Sequence, residues 1–315
     1  MIHKTAIVDP KSKISSNVEV GPYSVIGPNV EVGENTIIQS HVSIVGNTKI
    51  GKKNKIYPFA SIGNDPQDLK FNGESTKLEI GDNNKIREYV TINPGTKGGG
   101  GITKIGKKNK IYPFTSIGND PQDLKFNGEE TKLEIGDNNK IREYVTINPG
   151  TEGGGGITKI GNGCLFMVSS HIAHDCLVED NVILANNVPL GGHAHIEQNV
   201  IIGGNSAVQQ FTRVGKFAMV GGMCGVVRDI ITYAMVHGNR SILQGLNLIG
   251  LRRKYVTNKE ILVLSEAYKE IFKNENLTEN LKNLNAEIKK NGLVKDVVEF
   301  LEKDKKRPIC TPFSK

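Results

Sequence analysis

The sequence predicts an all-β chain wound as a parallel β-helix of hexapeptide repeats, followed by a small α-helical domain. Three observations carry this reading. An apolar residue recurs every six positions over residues 1–232 of the 315. The fifth position of most hexads holds a small side chain. The periodicity then stops at Tyr233, beyond which apolar residues return at helical spacing. A period of six fits neither a 3.6-residue amphipathic helix nor simple strand alternation. It is the spacing of short strands wrapped around a filled core, three hexads to a turn.

The first run of hexads begins at Ile2, Val8, Ile14, Val20, Ile26 and Val32 and continues through Ile38, Ile44, Ile50, Ile56 and Ile62. Its fifth positions are Ala6, Ser12, Val18, Ser24, Val30, Thr36, Val42 and Thr48. One large and one small residue per strand therefore point inward, which lets coils stack without voids. Gly21, Gly27, Gly33 and Gly51 follow the apolar position, and they are expected to ease the chain around its corners.

Residues 49–103 and 104–158 are two copies of one segment. They differ only at Ala60/Thr115, Ser75/Glu130 and Lys97/Glu152. Each copy holds six hexads, starting in the first at Ile50, Ile56, Ile62, Ile80, Ile86 and Ile92. The steps Ile62 to Ile80 and Ile92 to Ile105 exceed a hexad by 12 and 7 residues. Removing those 19 loop residues from 55 leaves 36, which is two complete turns. The copies should therefore sit in register and lengthen the column by about 10 Å at sheet spacing. Asn64–Lys77 and Asn119–Lys132 carry the Asp-Pro and Asn-Gly chemistry of turns. Gly98–Gly101 and Gly153–Gly156 lack the Gly-Lys-Ser/Thr ending of a phosphate loop and are expected to be flexible excursions.

Hexads resume at Ile160, Phe166, Ile172, Val178, Leu184, Leu190 and Ile196 and run on through Ile202, Val208, Val214, Val220 and Val226. Past them, Thr257 or Asn258 can cap a helix whose apolar face is Ile261, Leu264, Tyr268, Ile271 and Phe272. Thr278 can cap a second, with Leu281, Leu284 and Ile288. A third follows Gly292, with Val294, Val297, Val298 and Leu301. The domains expected are 1–232 and 233–315.

Composition narrows the function. No segment approaches the roughly 20 apolar residues of a membrane span, and residues 2–17 are already hexad-patterned rather than signal-like. A soluble cytoplasmic protein is expected. The net charge is +7, of which +5 lies in residues 247–315 (15 Lys/Arg against 10 Asp/Glu). That excess suits an acidic partner; the near-absence of interleaved aromatics argues against single-stranded nucleic acid. The four cysteines lack metal or redox spacing. Cys164, Cys176 and Cys224 fall at fifth positions and should fill the core, whereas Cys310 lies in a polar tail.

Four of the seven histidines lie between 171 and 195. His174 is third in its hexad and His193 fourth in the hexad one turn later, so both project from one side of adjacent coils. Asp175 follows His174. Histidine at an outward position is often only a solvated side chain. Clustered beside a carboxylate, it suits a general base that activates a hydroxyl near neutral pH. A zinc site on His171, His174 and His193, of the β-helix carbonic anhydrase type, is a rival. Against it, residues three apart on a strand point in opposed directions.

Several stretches resemble the UDP-N-acetylglucosamine O-acyltransferases: His-Ile-Ala-His-Asp-Cys at 171–176, Ile-Leu-Ala-Asn-Asn at 183–187, Leu-Gly-Gly-His at 190–193 and Ile-Gly-Gly at 202–204. Gly-Asn-Arg at 238–240, Gly-Leu-Asn-Leu-Ile-Gly-Leu-Arg-Arg at 245–253 and the twice-present Gln-Asp-Leu-Lys extend the match to the whole chain less one copy. The resemblance implies a left-handed β-helix, a homotrimer, and no cofactor or metal. It implies transfer of a (3R)-3-hydroxyacyl group from acyl carrier protein to UDP-N-acetylglucosamine, the first step of lipid A synthesis. By the same resemblance His174 is the general base, Asp175 orients it, and the Gly192 N–H stabilises the oxyanion. Gln122, Asp123, Lys125, His171, His193, Gln210, Asn247 and Arg253 then contact the nucleotide sugar or acyl product, with Met219 and Gly222 ending the acyl groove. Gln209 and Ile249 depart from the family, standing where many relatives have His and some have Glu. Asp123 stands at the family's distance from His174, so the second loop copy should be the working one and Gln67, Asp68 and Lys70 idle. Two rivals stand beside it: within the enzymes the related N-acyltransferase, which normally carries an additional N-terminal uridine-binding domain, and in a different class an inactive or engineered elongated trimer scaffold.

Overall fold

The structure, a computed structural model, describes residues 1–65, 76–95, 101–254, 256–303 and 306–313. From Ile7 to Val226, strands of two or four residues succeed one another at the hexad spacing, and every third strand pairs in parallel. Three sheets result, forming the sides of a left-handed parallel β-helix. The first face runs from Ile7–Val8 to Gly225–Val226 and the second from Lys13–Ile14 to Arg213–Val214. The third starts at Glu19–Val20. After its hexads end it gains Ala234–His237 in parallel and Ile242–Leu246 antiparallel. This closing hairpin has no hexad signal, and a short helix at Leu248–Arg253 follows it, ahead of the first helix expected.

The column is filled as the hexad requires. Ile26, Ile44, Ile62, Ile92, Ile117, Ile147 and Ile172 stack behind the first face, each essentially inaccessible. The glycine expectation needs correction. The residue that turns most corners is the fourth of the hexad, as at Tyr23, Asn35, Lys53, Asn83, Asp175 and His193, with φ between 56° and 61°. Gly21, Gly33 and Gly51 are not left-handed; a Cβ there would lie 2.7, 2.8 and 2.3 Å from the coil stacked against it. Close approach between coils requires those glycines. Bulky residues at a left-handed φ are costly. At the corner between third and first faces, Tyr23, His41, Phe59, Tyr89, Phe114 and Tyr144 stack ring on ring at 5.0–5.2 Å, which offsets that cost.

The twin segments are in register. Ile50, Ile80, Ile105, Ile135 and Ile160 pair in succession on the second face, at steps of 30, 25, 30 and 25 residues, which are 18 plus the 12- or 7-residue loops. Outward on the same face the column reads Lys13, Glu31, Lys49, Glu79, Lys104, Glu134, Lys159. Adjacent coils thus always present opposite charges, a favourable cross-strand arrangement. Two added coils keep that alternation, whereas one would set like charges side by side.

The helices are α1 (Leu248–Arg253), α2 (Asn258–Ile271), α3 (Leu277–Asn283), α4 (Ala286–Lys289) and α5 (Gly292–Glu302). Thr257 caps α2 through a reciprocal pair with Glu260. The expected second helix breaks at Leu284, whose extended backbone separates α3 from α4, and Asn276 rather than Thr278 caps it. Asn291 caps α5. Ile261, Leu264, Ile271, Val294, Val297 and Leu301 form the helical core. The Tyr268 hydroxyl donates to the Thr232 carbonyl, and Lys216 pairs with Asp296 at 2.6 Å. The C-terminal segment returns to the column, where Ile309 bridges Asp229 and Cys310 N–H donates to Asp229 O at 2.8 Å. Cys310 is consequently buried, against the expectation of a polar tail. Cys164, Cys176 and Cys224 fill the core as expected, and burial pushes the first two thiols up to about 11 and about 12. Among the described residues no helix is long and apolar enough to cross a membrane.

Thr103 and Thr158 are twins in the two copies, both fully buried. The Thr158 hydroxyl accepts the Asp175 N–H at 2.8 Å, while that of Thr103 has no partner among the described residues. Thr158→Val should therefore destabilise by about 1–2 kcal/mol and Thr103→Val should be neutral or stabilising, read as shifts in the urea midpoint. Equal losses would contradict the difference in bonding.

Candidate functional site

Every long loop of the column leaves the corner between the first and second faces. Described loops 118–131 and 148–156 lie there beneath the tight corners 173–176, 191–194 and 209–212. His171 is the outward residue of its strand, its Nδ1 within 2.7 Å of the Thr146 hydroxyl. His174 and Asp175 form the corner just beyond, with Asp175 at the left-handed position.

The Asp175 carboxylate has no solvent exposure and is bonded on both oxygens. Oδ1 accepts the Thr151 N–H at 2.9 Å; Oδ2 accepts the Thr151 hydroxyl at 2.6 Å and faces His174 Nδ1 at 2.8 Å. An ionised carboxylate can only accept, so Nδ1 carries the proton and donates. The lone pair of His174 is then on Nε2, which faces Gly192: a Cβ on Gly192 would lie 2.6 Å from it. The His193 ring meets that of His174 edge-on at 5.1 Å and stacks on Phe211 at 4.2 Å.

Electrostatics follow from these contacts. Burial opposes charge on Asp175, but the hydrogen bonds from His174 and Thr151 outweigh it and hold the carboxyl below its usual range. Burial, reinforced by the neighbouring His174, pushes His171 down. Burial also pushes His193 down against the opposing pull of Asp175. Both are therefore neutral imidazoles at neutral pH.

Asp123 and Lys125, together with Glu129, Thr151, Glu152, His193 and Phe211, line a cavity of about 420 Å³ beside this centre. Gln122 is exposed on the same loop outside that lining, and Gln209 and Gln210 are exposed at the corner one coil above His193. Gln67, Asp68 and Lys70 lie outside the described residues. Asn119, the twin of His174, bonds Ser116 and Asn93.

The remaining expected residues lie elsewhere in the chain. Met219 is on the third face and Gly222 at the corner after it. Asn247 is buried, capping α1 through Gly250 N–H and donating to Phe217 O at 2.9 Å, by the corner between second and third faces. Ile249 and Arg253 are exposed on α1. One chain thus distributes these groups over three corners. His174, Asp175 and His193 hold ligand-type atoms within 4.8 Å of one another. His171 is outside that group, which does not reproduce the three-histidine set weighed for zinc.

Three contributors were not foreseen. Thr151 holds the buried carboxylate, Phe211 supports His193, and Gly154 closes the loop over Asp175. Gly153–Gly156 is no loose excursion. Glu152–Gly154 forms a 3-10 turn, Gly155 and Gly156 take φ of 102° and 77°, and a Cβ on Gly154 would lie 2.1 Å from the Asp175 carboxyl carbon. The available signal was a hydroxyl residue two positions before the glycine run.

Comparison with known proteins agrees with the resemblance seen in the sequence. The domain described as "Udp N-acetylglucosamine O-acyltransferase; Domain 2" matches residues 229–310, and the bacterial transferase hexapeptide repeat matches residues 11–46. The acyl-[acyl-carrier-protein]–UDP-N-acetylglucosamine O-acyltransferase of Aliarcobacter butzleri is 43% identical over 197 residues, 62% of this chain and 76% of that protein. The Paracoccus denitrificans protein of the same name is 42% identical over 64% of this chain and 77% of its own length. Among solved structures, the Arabidopsis UDP-N-acetylglucosamine acyltransferase superposes with a TM-score of 0.76 at 33% identity, covering 98% of this chain and 100% of the other. The chain belongs to the UDP-N-acetylglucosamine O-acyltransferase family.

Proposed function

We propose that this chain transfers a (3R)-3-hydroxyacyl group from acyl carrier protein to the 3-hydroxyl of UDP-N-acetylglucosamine, with His174 as general base. The observation that carries the reading is the buried Asp175 carboxylate holding His174 Nδ1, which leaves Nε2 free beside the main chain of Gly192. Nε2 takes the sugar hydroxyl proton as the oxygen attacks the thioester carbonyl. The Gly192 N–H is assigned to the negative oxygen that develops, a contribution typically of about 3 kcal/mol. Collapse expels the pantetheine thiolate, which recovers the proton from the imidazolium. Asp175 stabilises that imidazolium throughout, and no covalent intermediate or metal is required.

Asp123, Lys125 and His193 are assigned to the nucleotide sugar, as are Gln122, His171, Gln210, Asn247 and Arg253; Met219 and Gly222 are assigned to the acyl chain. Because these lie at different corners of one column, the complete site is assigned to the junction between protomers of a cytoplasmic homotrimer. Three-fold symmetry lengthens all protomers equally, so two extra coils leave the neighbours level. The first copy then acts as a spacer, since Asn119 stands one repeat before His174 and supplies no second base.

An acyl-transfer assay with UDP-N-acetylglucosamine and 3-hydroxyacyl carrier proteins of several chain lengths tests the reading. Wild type should turn over and His174→Ala should lose about 10²–10⁴-fold in kcat; an inactive wild type would favour the inert-scaffold alternative. Asp123→Ala should lower kcat/KM while Asp68→Ala leaves it near normal, and the reverse ranking would assign the working loop to the first copy. Acidification protonates the base, so kcat should fall with unit slope on the acid side. Burial pushes His171 and His193 down, so any step they add should fall at lower pH than an ordinary imidazole.

A further inference from the structure

We propose that Thr151 is a positioning residue for the His174 base, acting through Asp175. This rests on the reading of His174 as base, and it assigns a role to the short loop 148–156 beneath it. Thr151 supplies both its main-chain N–H and its hydroxyl to one carboxylate, at 2.9 and 2.6 Å, and is itself buried. Asp175 donates its own N–H to Thr158 on the coil below. The aspartate is thus clamped at backbone and side chain by residues of a single segment, and Gly154 leaves no room for it to swing outward.

The hydroxyl does more than fill space. Oδ2 is shared between Thr151 Oγ1 and His174 Nδ1, so the two donors compete for one oxygen. A carboxylate relieved of the hydroxyl becomes a stronger acceptor for the imidazolium, and His174 then holds its proton to higher pH. Thr151 thereby anchors the carboxylate that fixes the tautomer of the base. The other charged or titratable groups around the pair are His171 on the preceding strand and His193 on the coil above, with Asp123 and Lys306 acting on His193.

Thr151→Val preserves shape and the main-chain bond while deleting the hydroxyl. It should lower kcat about tenfold with little change in KM, well short of the ~10²–10⁴-fold that a base supplies. The acid limb of kcat should move to higher pH, and Thr151→Ser should restore both. Thr96→Val, the same change in the first copy, should leave both at wild-type values. NMR titration of the His174 ring protons reads the same effect without turnover, so it stands even if the acyl-transfer reading fails. An upward shift in Thr151→Val that Thr151→Ser reverses supports the role. A titration unchanged from wild type overturns it, as does a variant that loses only thermal stability.

Discussion

Everything in this molecule depends on parallel in-register pairing between one coil and the next. Each strand is only two or four residues long and cannot persist alone. It is held because its main chain bonds to the coils on both sides and its apolar residue sits on the equivalent residue of the neighbours. The sum is a continuous core that no single coil could bury. The 18-residue turn is therefore a strict unit, and extra residues are accepted only as loops at a corner. The 12- and 7-residue excursions at Ile62 and Ile92, and their twins at Ile117 and Ile147, satisfy that condition at a single corner.

That rule also explains where chemistry can be placed. The faces are flat and their main-chain groups are consumed by pairing, so reactive groups gather at a corner, where loops from coils below rise past the turns above. Asp175 shows how such a corner keeps a charge away from water. It is buried, and burial alone would neutralise it. Three donors from Thr151 and His174 reverse the outcome. The ion is retained because the loop under it is shaped to supply those donors, which links the turn of Glu152–Gly154 directly to the state of the base.

Most of the column could be read from the residues, because a period of six has few structural solutions and the apolar positions are almost without exception Ile, Val or Leu. The clustering of His171, His174 and His193 was visible for the same reason: the hexad converts sequence position into height and side. What escaped was structure that the repeat does not encode. The hairpin 234–246 follows no hexad. The break at Leu284 hangs on one extended residue between Asn276 and Asn285, both of which cap helices. Thr151 looked like an ordinary polar residue before a glycine run, since its value comes from a carboxylate 24 positions away. The glycines at second positions were given the wrong role because crowding between stacked coils cannot be seen along a single chain.

The alternating Lys and Glu column of the second face limits how such a protein can grow. Windings gained in pairs keep the signs alternating from Lys13 to Lys159, whereas an odd addition leaves one like-charged contact at the junction. The third face has no such balance: Lys55, Lys85, Lys110 and Lys140 are stacked in an unbroken row. By composition the first copy carries nine basic and six acidic residues and the second eight of each, so the three substitutions between them remove three units of positive charge. Copies of either kind would extend that lysine row, but only copies of the first kind would also add net positive charge.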